Sequence, residues 1–327
     1  GEEAMRFSQI QNAEELHKFL EEHAQKHKFL YHFTTAKSLA AICKNRTWRF
    51  GCAAKMNDLH EFKGKTPSTN LWNTIYSTCF SFGDEDNIAM WAMYGIPWED
   101  AVRIRVETKD IINWVKDIKV WKITPPRYSC EHIAEGLSGK RINVSFHDIC
   151  YYQGYINSRQ VLTDCPYPER REHQCTEKCN GCPPKVLRWW DRKNRHTKEC
   201  VDVCTDGSLV GFVKNSAWAY ENETRLMLKI EDLSGLEYID LPVPISLLKN
   251  MQVSIGPRST LTIEQVKEML KQKLPISEME NWTPKVSESY FHQSDYLKQL
   301  RRHCNLCSQK TVIFKNSLED LDKMEEK

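Results

Sequence analysis

Over residues 102–107 apolar and charged side chains alternate without a break: Val102, Ile104 and Val106 against Arg103, Arg105 and Glu107. A period of two suits an extended strand that buries one face and wets the other. Such strands gather into antiparallel sheets with a core on one side. Further short β-prone runs at 29–33, 78–82, 149–156, 224–230 and 236–243 fit the same sheet, and 114–123 reads as another strand. The stretch 125–145 reads as polar and irregular. Leu16, Phe19 and Leu20 recur at helical spacing within 13–25, Thr34 or Thr35 can cap a second helix through Leu39 and Ile42, and Thr262 can cap a late one through Val266 and Leu270. The fold class expected is α+β, a twisted and mostly antiparallel sheet with peripheral helices.

A chain of 327 residues has room for one large domain or two smaller ones. The pattern favours one core over 5–275, interrupted by a Cys-rich insertion at 163–206 and followed by a charged helical or extended tail at 276–327. Lys and Arg number 46 against 44 Asp and Glu, a net charge of +2, which removes the simplest electrostatic case for a nucleic-acid binder. No apolar run approaches the roughly 20 residues that cross a bilayer, so no membrane partner is expected. The first twenty residues lack a basic start followed by an apolar stretch, which reads as a cytoplasmic chain. In a reducing compartment, thirteen cysteines point to metal ligands or free thiols before disulfides.

Six of those cysteines lie in the insertion. Cys175, Cys179, Cys182, Cys200 and Cys204 have the two-pair spacing of a structural zinc site, with Gly181 permitting the tight turn. The run Cys175, Cys179, Cys182 also matches the spacing of an iron–sulfur ligand set, so zinc leads and iron–sulfur stands second. The basic segment 170–198, with Arg188, Trp189, Trp190 and Arg192, suits phosphate contacts and base stacking, or else is a solvated face packed on the metal site.

A series of short motifs runs in fixed order. It comprises Leu30-Tyr31-His32-Phe33-Thr34, Met56-Asn57-Asp58 with Glu61, Cys79-Phe80-Ser81-Phe82, Met90-Trp91 with Tyr94-Gly95, Lys214 with Trp218 to Arg225, and Ile255-Gly256-Pro257. This series resembles the bacterial family known as domain of unknown function 2971, over roughly residues 29–270. Leu59 and His60 depart from it, where the family usually has Pro. More remotely, Tyr-His-Phe-Thr on an early strand and Glu-x-Glu on a late one resemble ADP-ribosyltransferase-type NAD-binding folds.

That resemblance implies NAD-dependent ADP-ribosyl transfer, or NAD cleavage, on a protein or nucleic-acid acceptor. Glu223 would be the catalytic carboxylate supported by Glu221 and Arg225, with His32, Tyr31, Thr34, Trp91 and Tyr94 toward the NAD. The same residues also read blandly. Glu221, Glu223 and Arg225 make a salt-bridged strand face equally well, His32 a buried core histidine, and Trp91 and Tyr94 core aromatics. The alternative function is a non-catalytic nucleotide- or nucleic-acid-binding module of a bacterial defence or stress system.

Overall fold

The computed structural model describes residues 10, 13–56, 71–83, 86–120, 142–152, 185–191, 196–203, 211–230, 236–274 and 282–292. Helix α1, Ala13–Ala24, buries Leu16, Phe19, Leu20 and Ala24 and carries Glu14 and Glu15 in its first turn, where the helix dipole favours them. Strand β1, Phe29–Thr35, runs into α2, Ala36–Asn45, whose N-cap is Thr35, its hydroxyl accepting from the Ser38 amide. Arg46, at φ 53°, ends that helix in the left-handed region and turns the chain into β2, Thr47–Cys52. Strand β3 is Ile75–Phe82, and α3, Ile88–Tyr94, is capped by the Asn87 side chain. Strand β4, Ala101–Glu107, keeps the alternation, with Val102, Ile104 and Val106 all buried.

Two expectations fail at this point. Residues 114–120, the described part of the strand expected at 114–123, are not a strand: Thr108–Val120 is helix α4, with Ile111, Trp114, Val115 and Ile118 buried at helical spacing. Each such side chain contributes roughly 1.5–3 kcal/mol on burial, more than the whole ~1 kcal/mol range of strand propensity that Trp, Val and Ile suggest. Strand β5, Ile142–Asp148, begins inside the stretch 125–145 expected to be irregular.

The remaining elements are β6 (Cys150–Tyr152), β7 (Lys185–Asp191), β8 (His196–Val203), β9 (Val213–Asn215), β10 (Glu223–Ile230) and β11 (Tyr238–Pro242). Helix α5 (Ile245–Asn250), β12 (Gln252–Ile255), α6 (Ile263–Lys273) and β13 (Lys285–Glu288) follow. Helix α6 opens on a capping box in which Thr262 and Gln265 satisfy each other's amides, as the sequence suggested for Thr262.

The molecule is therefore mixed α and β around a largely antiparallel sheet. The order β11-β2-β3-β1-β4-β12-β13 gives its main path, and β10 pairs with β3 and β5 off that path. Strand β3 pairs with β10 along most of its length, from Glu223 opposite Ser81 to Lys229 opposite Ile75. Its other edge forks. Strand β1 joins it only at Leu30–Phe82 and Tyr31–Ser81, and β2 only at Gly51–Ser77 and Cys52–Tyr76. Among the described residues no strand pairs with Thr78, Cys79 or Phe80 on that edge.

The main core packs Leu39, Trp48, Phe80, Ile104, Trp114, Leu226, Leu248 and Val253 together. The opposite face of β4 is not simply wet. Arg103 stands 4.7 Å from the Tyr31 ring and pairs with Asp86 at 3.0 Å, and Tyr31, Phe33, Met90 and Trp91 form a second apolar cluster beside it. Gly256 is required in this cluster, because a Cβ there would lie 2.8 Å from the Ala101 Cβ and 3.1 Å from the Trp91 ring.

Candidate active site

The fork in the sheet opens a cleft of about 480 Å³. Its walls come from β1, α2, β2 and β3, and Lys214, Glu221, Glu223 and Arg225 reach it from the β9 to β10 segment. Two side chains stitch the open edge of β3. His32 Nδ1 lies 2.9 Å from the Cys79 carbonyl and donates to it, and Trp48 Nε1 donates to Thr78 Oγ1 at 2.9 Å. Burial lowers the His32 pKa against the opposing effect of that carbonyl. The ring is therefore neutral, and with Nδ1 carrying the proton its Nε2 is an acceptor. The Trp48 ring meets it edge-on at 5.1 Å.

Glu221 and Glu223 do not share a strand. Glu221 ends the 3₁₀ turn Ser216–Glu221, Asn222 takes a left-handed conformation at φ 43°, and Glu223 starts β10. Both carboxylates nevertheless line the cleft, because the turn is pinned to β3. Ser81 Oγ donates to the Glu221 carbonyl at 2.6 Å, and the Phe82 amide donates to the Asn222 carbonyl at 2.8 Å.

Four charges meet there in near-complete burial, Lys214 at 6% exposure and Arg225 at 1%. Arg225 donates through Nε and Nη2 to Glu223 Oε1 at 2.8 and 2.6 Å. Lys214 Nζ bridges the two acids, 2.6 Å from Glu221 Oε2 and 3.2 Å from Glu223 Oε2. Tyr94 Oη donates to Glu221 Oε1 at 2.5 Å. Desolvation alone would raise the Glu223 carboxyl, but the Arg225 and Lys214 cations overcome it and hold the group far below the usual carboxylate range. Desolvation, then repulsion from Glu223, push Glu221 the other way, only partly opposed by Lys214 and Tyr94. The result is one firmly ionised carboxylate beside one that holds its proton more readily, a pairing suited to divided electrostatic and acid–base roles. Burial and the Glu223 charge push the Cys79 thiol well up, so it stays protonated beside that carboxylate.

Of the residues singled out from sequence, His32, Tyr31, Thr34, Tyr94, Glu221, Glu223 and Arg225 all reach the cleft. Trp91 does not. It is fully buried, its ring 4.9 Å from Phe33 and its Nε1 donating to Asp86 Oδ1 at 2.8 Å, so it is a core residue and cannot stack on a ligand. Asn57, Asp58, Glu61, Cys175, Cys179, Cys182 and Cys204 lie outside the described residues, and Cys200 falls on β8, opposite Arg188 of β7. Sequence reasoning did not assign Lys214 or Trp48 to the site. Lys214 sits nine residues before Glu223 on another strand, and no periodicity links the two; only the fold brings them together.

No helix among the described residues is long and apolar enough to cross a membrane. No family model matches the chain, and neither the curated proteins nor the solved structures hold a match to it.

Proposed function

We propose that the cleft binds NAD and that the chain cleaves its bond between nicotinamide and ribose, passing ADP-ribose to water or to a protein or nucleic-acid acceptor. One observation carries this reading: His32 and Glu223, from strands on opposite edges of β3, line the same cleft. As that bond breaks, positive charge builds on the ribose, and a preorganised carboxylate stabilises it without reorganising at the moment of reaction. Glu223 is held ionised for that task by Arg225 and Lys214. The neutral His32 Nε2 accepts a ribose hydroxyl, and Tyr31 and Tyr94 flank the ring.

A second reading has its own support. Both carboxylates already carry cationic partners, as in a salt-bridged face, and such a cleft can hold a nucleotide without turning it over. Nicotinamide release and the NAD-induced shift in melting temperature, measured on the full chain, separate the two. The enzyme reading expects release by the wild type and a loss of at least about 100-fold in Glu223→Gln. It also expects His32→Ala, at a half-buried position, to fold and to bind NAD more weakly. A thermal shift without release selects the binding module. Neither release nor shift at millimolar NAD removes both.

A further inference from the structure

Thr224 lies between Glu223 and Arg225 on β10, so its side chain points to the face of the sheet away from the cleft. There its hydroxyl donates to Asp148 Oδ1 at 2.5 Å. The other oxygen of that carboxylate meets two imidazoles from the start of the chain: His23 Nδ1 and His27 Nε2 each lie 2.6 Å from Asp148 Oδ2. His23 is in the last turn of α1, and His27 follows just past its end at a spacing of four.

Asp148 is fully buried, and among the described residues its only ion-pair partners are these two histidines. A buried carboxylate needs positive charge beside it. On the cleft face Lys214 and Arg225 supply that charge; here no Lys or Arg is recorded on Asp148.

We propose that His23, His27 and Asp148 hold a divalent transition-metal cation, zinc being the probe of choice. Their three donor atoms lie within 4.8 Å of one another. Bonds of about 2.0–2.2 Å to a tetrahedral ion space its ligands about 3.3–3.6 Å apart, so the histidines need to withdraw by only about 1 Å to admit it. Two imidazoles and one carboxylate suit zinc, iron or nickel and not calcium or magnesium. The outer contacts of a metal site are also built. Thr224 fixes the far carboxylate oxygen, and the His27 ring stacks on Phe82 at 4.1 Å, which holds its orientation. His23 keeps 28% of its side chain exposed, giving the ion a way in and a water the fourth position. The metal staples the N-terminal helix to the ends of β5 and β10.

The test is a Zn²⁺ titration of the full chain after stripping with a chelator, run on the wild type, His23→Gln and His27→Gln. The wild type is expected to take up about one equivalent more than either variant, and to gain melting temperature with Zn²⁺ where they gain less. Glutamine can still donate to Asp148, so His23→Gln, at the more exposed position, keeps its fold without metal. The Cys-rich segment is itself a candidate zinc ligand set, so Co²⁺ is titrated in parallel. The extra equivalent is expected to lack the intense near-ultraviolet band of thiolate ligation. Equal uptake by all three proteins overturns the proposal, and so does an extra equivalent that carries the thiolate band.

Discussion

Strand β10 presents a buried carboxylate site on each of its faces, and the two are neutralised differently. On the cleft side Glu223 and Glu221 are held by the Arg225 guanidinium and the Lys214 amine at 2.6 to 3.2 Å. On the far side, among the described residues, Asp148 meets a threonine hydroxyl and two histidines. Fixed cations preorganise charge, which suits a site that must stabilise a developing cation in a ligand. Histidines can give up their partner to a metal, which suits a site that is loaded from solution. The same strand thus separates an electrostatically locked face from an exchangeable one.

The largest test of that contrast is Arg225→Met. It leaves Glu223 buried with Lys214 alone, and breaking a buried pair of this kind costs about 3–5 kcal/mol. Urea unfolding should show a loss of that size, and a loss below about 1 kcal/mol would mean that the cleft-side lock is not what holds β10 in place.

Next comes pH. His147 lies opposite Arg225 on β5, fully buried, its Nε2 donating to the Gly211 carbonyl that also accepts from Arg225. Burial lowers its pKa to about 3. The folded value is depressed below the ordinary 6.5, so its contribution is complete above pH 6.5 and is lost as pH falls toward about 3. The slope is about 1.4 kcal/mol per pH unit, so between pH 6.5 and 5 the stability should fall by about 2 kcal/mol from this residue alone. His32, also lowered by burial, adds a loss of the same sign. Replacing His147 by Phe should flatten the profile; an unchanged profile would place the acid sensitivity elsewhere.

The smallest effect is expected on the exchangeable face. Thr224→Val removes the hydroxyl from Asp148 and should cost about 1–2 kcal/mol, because the histidines still satisfy the other oxygen. The cleft should be untouched, so NAD binding is unchanged while Zn²⁺ affinity falls. A variant that loses both would show that the two faces are coupled.

Much of the fold was legible where a pattern is local. The α1 stripe, the Thr262 cap, a threonine cap on α2 (Thr35 of the two candidates) and the alternation in β4 all formed as their residues indicate. Helix α4 is not legible in the run 114–123 because its apolar residues are also strand formers and Ile111, the first buried apolar residue of the helical stripe, lies outside that run. Strand β5 was missed because Ile142, Val144 and Phe146 alternate inside a polar surrounding, where the signal is short. In the candidate site the chemically distinctive residues stood out. Trp91 was misplaced because packing alone decides whether an aromatic on a short helix faces a ligand or the core.

By itself the sequence determined the elements whose repeat stands clear of competing signals, such as α1 and β4, the caps on α2 and α6, and the short list of acids, bases and aromatics able to do chemistry. Those follow from bonds and contacts between near neighbours in the chain. Only the tertiary structure decided that β3 forks, that Lys214 stands between two acids, and that His23 and His27 reach Asp148 across 125 and 121 residues. Those depend on strand pairing between distant segments, where burial of charge is tolerated only because the fold delivers each partner to within hydrogen-bonding reach.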